Sequence, residues 1–399
     1  MRFCRRSLDD YSVETVISSR GRLAAQERIG KGDMLASACH NHGYAALPPL
    51  PDLPKSHRFM PTQCLISLGS NLGDRHAIMA DAAAAISQAN VDGVPLVGQC
   101  ESIEFSPDSG SVATVVRNER RIGLRTSRLY QTPAIGGPGG QSPFLNAVAA
   151  FATDIPASAV LDILQAIESD LGRQRRVRWG ARVIDLDVVL HGRLEGQSTA
   201  GRRGLIGGRG PAGSSRALVV PHPRYTARKF VLTPACDVAA DFCDPRFGWT
   251  IGELNQHLDA DVPSVALTGG DEAIRMQLCH QLADRHQITI LPESARGIAP
   301  PDLRTAYVSP VVPACLRDSP VPVADESRPP RLPRLIVRIQ RTTPADRWPA
   351  PHQIWPCGWR WPEYRLEVDD LAWAVDEIAS ALDSMRCDLT AVTNDGAWW

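Results

Sequence analysis

Arg178-Trp179-Gly180-Ala181-Arg182-Val183-Ile184-Asp185-Leu186-Asp187-Val188-Val189 is the stretch on which the reading of this chain turns. Its second half alternates as a strand does, and on a strand residues two apart share a face. Asp185 and Asp187 therefore project together, while Ile184, Leu186 and Val188 point the other way, into a core. Two carboxylates side by side repel unless a cation lies between them. Hard oxygen ligands that leave room for phosphate oxygens suit magnesium. Read alone, the Asp-x-Asp pattern also fits an exposed edge strand with two solvated acids.

The residues before the strand narrow that choice. Arg173, Arg175, Arg176, Arg178 and Arg182 surround its entry. Guanidinium groups beside an acidic pair make sense if a polyphosphate bridges the two through metal ions. A plain basic loop in solvent is the alternative.

Working outward, Cys64-Leu65-Ile66-Ser67-Leu68 reads as a short buried strand. It runs into the turn Gly69-Ser70-Asn71-Leu72-Gly73-Asp74, which ends in a helix N-cap. An Ala-rich helix follows to about Ala89. Thr126 to Thr132 alternates as a strand and leads into a loop rich in Gly and Pro at 133–140. Phe144 to Ala152 is the next strand. Pro156 opens a helix with Val160, Ile163, Leu164, Ile167 and Leu171 at helical spacing, and Val183 to Leu190 is a strand. Residues 228–258 carry two further helical patterns. The order β-α-β-β-α-β predicts an α+β, ferredoxin-like core. Residues 92–122 and 193–216 read as insertions, the second a Gly/Ser/Arg-rich solvated loop. After Asp261, strand and helix patterns alternate to Met385, which predicts a smaller α/β domain over 261–399.

The bulk composition excludes several classes. The chain has 399 residues, 43% of them hydrophobic, and a formal net charge of −1. That balance gives no reason to expect a nucleic-acid or membrane partner. No apolar run approaches the roughly 20 residues of a membrane helix. Ten cysteines are scattered without CxxC pairs, which predicts reduced thiols in a cytoplasmic protein rather than a disulfide framework. Residues 1–60 lack periodicity and end in the Pro-rich Leu47-Pro48-Pro49-Leu50-Pro51-Asp52-Leu53-Pro54. They read as a disordered extension, or as sequence upstream of a true start at Met60. Oligomeric state is not legible.

From about Gln63 to about Leu258 the chain resembles the 6-hydroxymethyl-7,8-dihydropterin pyrophosphokinases. Arg178 through Val189 fits that family's signature at every position. Leu68 through Asp74, Ser127 through Pro133 and Phe144-Leu145-Asn146-Ala147 resemble its first three strands, and Pro221-His222-Pro223-Arg224 with Arg228-Lys229-Phe230 resembles its last active-site segment. The resemblance implies transfer of the β,γ-diphosphate of ATP to 6-hydroxymethyl-7,8-dihydropterin, as a step of folate biosynthesis. It implies two magnesium ions on Asp185 and Asp187, with Arg173 and Arg182 as catalytic arginines. ATP would be held by Gln165, Glu168, Arg175, Arg178, Trp179, His222 and Arg228. The pterin would lie among Thr132, Pro133, Ile135, Phe144, Asn146 and Phe230. Phe144 stands where the family often has Tyr; the ring face is kept and only the hydroxyl is lost.

Val265-Ala266-Leu267-Thr268-Gly269-Gly270-Asp271 resembles an eroded P-loop of a deoxynucleoside-kinase-like domain, without the Gly-Lys-[Ser/Thr] ending that grips phosphates and magnesium. A degenerate domain without catalysis is the expectation there. Two other readings of the whole chain stand beside the enzyme: a non-catalytic ferredoxin-like module that binds nucleotide or RNA, and a bifunctional protein with an active C-terminal kinase.

Overall fold

Thr62–Ser70 forms β1, the strand around which the first sheet is built, because it can present an apolar side chain on both faces. The computed structural model describes residues 61–98, 102–103, 117–118, 123–173, 179–198, 218–318, 331–341, 360–368 and 370–399. The expectations for residues 1–60, for most of 92–122 and 193–216, and for Arg175, Arg176 and Arg178 lie outside the described residues. Residues 58–399 group into one compact unit.

In chain order, β1 is followed by α1 (Arg75–Gln88), β2 (Tyr130–Thr132), β3 (Phe144–Thr153), α2 (Ala157–Asp170) and β4 (Asp185–His191). Asp74 caps α1, its carboxylate accepting from the Ala77 N–H at 3.2 Å. The four strands lie in the order β2-β3-β1-β4, every neighbour antiparallel. The expected continuous strand from Thr126 to Thr132 is broken. On that side of β3, only Arg125–Thr126 and β2 pair with it. At the break the Ser127 hydroxyl accepts the Val148 N–H at 2.9 Å, and this side chain takes over from the ladder there.

The two faces of this sheet have different fates. Cys64, Ile66 and Leu68 of β1, with Leu145, Ala147 and Phe151 of β3 and Leu186 and Val188 of β4, pack on Met79, Ile86, Val160, Leu164 and Ile167 of α1 and α2. Among these, each buried Val, Leu, Ile, Phe or Met side chain contributes about 1.5–3 kcal/mol over exposure. Leu65, Val148 and Ala150 point the other way, into a second cluster with α3 (Lys229–Ala239) and α4 (Ile251–Asp259).

That second cluster is shared with the rest of the chain. β5 (Ser264–Thr268), α5 (Glu272–His286), β6 (Thr289–Ile290), β7 (Tyr307–Ser309), β8 (Leu335–Arg341) and β9 (Glu363–Val368) build a wholly parallel sheet in the order β6-β7-β5-β8-β9. Val265, Leu267, Val337, Leu366 and residues of α6 (Leu371–Ser384) join Leu65 and Val148 in one core. β7 is three residues long and was not expected from the pattern. Neither was β10 (Thr390–Ala391), which returns to pair antiparallel with the free edge of β2.

The last residues fasten that edge. The Thr126 hydroxyl donates to the Gly396 carbonyl at 2.6 Å, Leu129 N–H to the Thr393 hydroxyl at 2.9 Å, and the Trp398 indole to the Ser127 carbonyl at 2.7 Å. Trp398 also packs against the α1/α2 cluster. A Trp398→Ala variant is expected to lose about 1–3 kcal/mol of stability, from the cavity and the orphaned carbonyl together. In urea titrations the midpoint should fall at unchanged slope; an unchanged midpoint would show that the C-terminal residues do not hold the sheet edge.

Candidate active site

The apolar pattern of the inner sheet face stops at one end. Along β1 the inward residues run Leu65, Ser67, Gly69; along β3, Ala150, Val148, Asn146, Phe144; along β4, Asp187 and Asp185 take the corresponding places. Register brings them together: Gly69 lies between Asn146 on β3 and Asp185 on β4, and Ser67 between Val148 and Asp187. A Cβ at Gly69 would stand 3.3 Å from the Asn146 amide oxygen and 3.9 Å from the Phe144 ring. The glycine thus keeps the floor of the site clear between the amide and the carboxylates.

A pocket opens over this floor. Of the residues expected to bind pterin, Thr132, Pro133, Ile135, Phe144, Asn146 and Phe230 all line it, and so do Trp179, Arg182, Asp185, Asp187 and Arg228. Gln165, Glu168, Arg173 and His222 are not among the lining residues. Asn146 is buried, and its amide donates to the Thr132 hydroxyl at 2.8 Å.

Asp185 is braced from two sides. Arg173 Nη2 stands 2.6 Å from its Oδ1, and Arg182 Nη1 pairs with Oδ2. Arg228 approaches Asp187 at 4.0 Å, with its guanidinium carbon 5.8 Å from the Phe230 ring centre. Behind the strand, Glu168 of α2 is buried, accepts the Leu186 N–H at 2.7 Å and pairs with Arg173. The structure puts Glu168 under the carboxylate strand as a support, where the Arg173 side chain is nearly sealed from solvent. The ring Nδ1 of His222 accepts the Arg224 backbone N–H at 3.2 Å, and the backbone N–H of His222 donates to the Val189 carbonyl at 2.9 Å. It shapes the bend that carries Arg228.

Several residues of the site were not singled out from sequence. Asn71, 2% exposed, latches two loops: its amide oxygen accepts the Arg182 N–H at 2.7 Å, while its NH2 donates to Gln141 and to the Ser142 carbonyl. Gln141 in turn donates to the Trp179 carbonyl at 2.9 Å. Trp179 has a φ of 58°, a left-handed conformation that a bulky residue adopts only when its surroundings hold it there. Those surroundings include Trp373 of α6, whose ring centre is 6.3 Å away. Tyr364, Glu377, Ser380, Ala381 and Ser384, all from β9 and α6, complete the pocket wall. No signal in the sequence marks them, since their place depends on the two sheets sharing a core.

Among the described residues, no group of three or more His, Cys, Asp or Glu side chains is placed to hold a metal ion. The donor set is two carboxylates on one face. That suits a hard cation completing its shell with water and phosphate oxygens rather than one caged by protein. No described helix is long and apolar enough to cross a membrane.

The model of the 7,8-dihydro-6-hydroxymethylpterin-pyrophosphokinase family matches residues 108–240. The 2-amino-4-hydroxy-6-hydroxymethyldihydropteridine pyrophosphokinase of Bacillus subtilis is 31% identical over 173 residues, which are 43% of this chain and 75% of that enzyme. The enzyme of the same name from Methylorubrum extorquens is 31% identical over 180 residues, 45% of this chain and 84% of that one. The folic acid synthesis protein fol1 of Pneumocystis carinii is 30% identical over 201 residues, half of this chain but only 21% of that longer protein. A crystal structure of Plasmodium falciparum HPPK-DHPS superposes with a TM-score of 0.33 at 10% identity, over 59% of this chain and 57% of that one. The chain belongs to the 7,8-dihydro-6-hydroxymethylpterin-pyrophosphokinase family.

The buried support of the carboxylate strand has a measurable pH signature. Burial pushes the Glu168 carboxyl up from an ordinary 4.5 to about 7; Arg173 pulls against that shift and Asp185 adds to it. Folded protein then keeps this proton where unfolded chain releases it. The contribution is whole below pH 4.5 and is lost as pH rises through about 7. Glu168→Gln, which cannot ionise, should therefore gain stability relative to the unsubstituted chain as pH rises across that window. Urea midpoints of the two proteins read this directly, and a gap that does not change with pH would contradict it.

Proposed function

We propose that this chain transfers the β,γ-diphosphate of ATP to the hydroxymethyl oxygen of 6-hydroxymethyl-7,8-dihydropterin and releases AMP, as a step in folate synthesis. One observation carries the reading. A single pocket joins a flat, aromatic and amide-lined part (Phe144, Phe230, Asn146, Thr132) to a charged part (Asp185, Asp187, Arg182, Arg228). The first suits a planar heterocycle with hydrogen-bonding edges. The second suits a polyphosphate.

Asp185 and Asp187 would hold magnesium, whose chemistry here is to neutralise phosphate charge and polarise the attacking hydroxyl. Arg182 and Arg228 bind phosphate oxygens, and Arg182 meets the charge that builds up on the transferring group. Arg173 stays behind Asp185 and fixes the carboxylate's orientation. Phe144 and Phe230 sandwich the ring and Asn146 orients it, so that the hydroxymethyl group points toward the carboxylates. Oxygen attacks the β-phosphorus as the bond to the AMP oxygen breaks. Positioning and fixed charge account for the rate, with no covalent enzyme intermediate. The Gly-rich loop 134–142, which contributes Ile135, Gly136 and Gln141 to the pocket, would close over the substrates and exclude water.

The fold-level expectations fit the same reading. The antiparallel order β2-β3-β1-β4 with α1 and α2 on one face supports a ferredoxin-like core. The parallel sheet with β5 at its centre, feeding α5 through Thr268-Gly269-Gly270-Asp271, supports a P-loop-like ancestry for 261–399. The contacts of two residues support its loss of function. The Asp271 carboxylate accepts the Ile274 N–H at 2.7 Å, where an anion would dock, and Arg275 is engaged with the Gly269, Gly270 and Pro310 carbonyls. A cytoplasmic location is part of this proposal, in line with the family's chemistry and the free thiols among the described residues.

Asp185→Ala and Asp187→Ala should each abolish AMP release from ATP in the presence of hydroxymethyl-dihydropterin while the fold persists. Arg182→Ala should lower kcat by about 10²–10³-fold with little change in ATP affinity, because its charge acts mainly in the transition state. Near-normal turnover by a folded aspartate variant would sink the metal assignment. Phosphate transfer to a nucleoside by the whole chain would refute the degenerate reading of 261–399.

A further inference from the structure

Trp373, Glu377, Ser380 and Ser384 recur at three- and four-residue intervals, so they form one stripe along α6. At its first turn Trp373 packs on Trp179. Farther along, Glu377, Ser380 and Ser384 line the pocket described above. Ser380 reaches the glycine loop: a Cβ at Gly136 would stand 2.5 Å from its hydroxyl. A helix outside the residues matched by the family model thus forms a wall of the site.

Glu377 is the unusual member of that stripe. It is 3% exposed. One carboxylate oxygen, Oε1, accepts the Tyr364 hydroxyl and lies 3.5 Å from Arg224 Nε. Those two contacts fix the side chain's rotamer. The other oxygen, Oε2, is buried without a hydrogen-bond partner among the described residues. An unsatisfied buried oxygen of a charged group costs about 1–3 kcal/mol or more, and such groups in native proteins have a reason. Here the oxygen belongs to a residue that lines a ligand pocket. A phosphate cannot be its partner, since it offers no donor and repels the charge. A neutral ring with N–H or O–H donors can.

We propose that Glu377 is a specificity-determining residue for the heterocyclic substrate, with Oε2 accepting an N–H or O–H hydrogen of the bound ring system. This rests on the reading of the pocket as a pterin site. It makes the C-terminal lobe part of the catalytic unit, with one carboxylate on α6 selecting for a donor-bearing heterocycle while β4 carries the carboxylates that serve the phosphates.

The test uses the full chain and two ligands, 6-hydroxymethylpterin and a non-hydrolysable ATP analogue, titrated separately by calorimetry. Glu377→Gln keeps the size and the acceptor for Tyr364 but presents a donor or a weaker acceptor to the ring. It should weaken pterin binding and raise the pterin KM by about 10–100-fold, leave ATP-analogue binding within about twofold, and leave kcat at saturation nearly unchanged. Pterins in which one donor is methylated should include one whose loss of affinity in the unsubstituted chain disappears in the variant. Glu377→Asp, which keeps the charge and shortens its reach, should follow the same pattern, and it decides the matter should the glutamine variant not fold. A folded variant with unchanged pterin affinity overturns the inference and leaves the function standing. Equal loss of both ligands means a structural role and overturns it too. Failure of the unsubstituted chain to bind pterin at all overturns the function and this inference together.

Discussion

Two carboxylates on successive same-face positions of β4 set the terms for everything around them. At the roughly 7 Å spacing of alternate strand residues they repel by about 2–3 kcal/mol in a partly screened site. That repulsion is tolerable only beside cations. Arg173, Arg182 and Arg228 supply positive charge from three different segments, and each of those segments must be held in place. Arg173 is held by buried Glu168, Arg182 by Asn71, and Arg228 by a bend that other parts of the chain fix. The fold around the site is in large part the answer to where those three guanidinium groups must stand.

The bend carrying Arg228 shows how far the dependence extends. Tyr225 is fully buried and donates to Asp244 at 2.7 Å, and Asp244 pairs with Arg246, both almost without exposure. From the other side β9 binds the same segment: the Thr226 hydroxyl donates to the Glu363 carbonyl at 2.9 Å, and Arg365 N–H to the Pro223 carbonyl at 3.0 Å. The edge of the parallel sheet therefore steadies the residues that bring Arg228 to the pocket. Trp373 does the same for Trp179: together with Gln141 it holds that tryptophan in its left-handed conformation. The packing of the second lobe thus supports the geometry of the first lobe's site.

The carboxylate pair was legible because strand periodicity is local. Alternation of Ile184, Leu186 and Val188 with Asp185 and Asp187 says which side chains share a face before any partner strand is known. The aromatic and amide residues of the pocket were legible only through resemblance, since Phe144, Asn146 and Phe230 by themselves read as ordinary strand and helix residues. The arginines were legible as a cluster but not in their division of labour: Arg173 faces a buried glutamate and Arg182 faces the pocket, and no spacing rule separates the two. Glu168 lies one helical turn from Gln165 in sequence, yet burial under β4 gives it a supporting position that exposure on a helix face would not.

By itself the sequence determined the helices, the long strands, the faces of β1, β3 and β4, and the chemistry of the charged half of the site, all of which follow from interactions between residues a few positions apart. Only the tertiary structure decided what closes the pocket. Residues 364–384 reach it because the two sheets bury their inner faces in one core, and residues 390–399 return to β2 because a sheet edge left open needs hydrogen-bond partners. Asp376 and Glu377 are adjacent acids on one helix, and nothing local tells them apart. One pairs with Arg285 on an exposed surface and the other is buried at the pocket, because a helix turns 100° per residue and only the position of its neighbours says which side is inside.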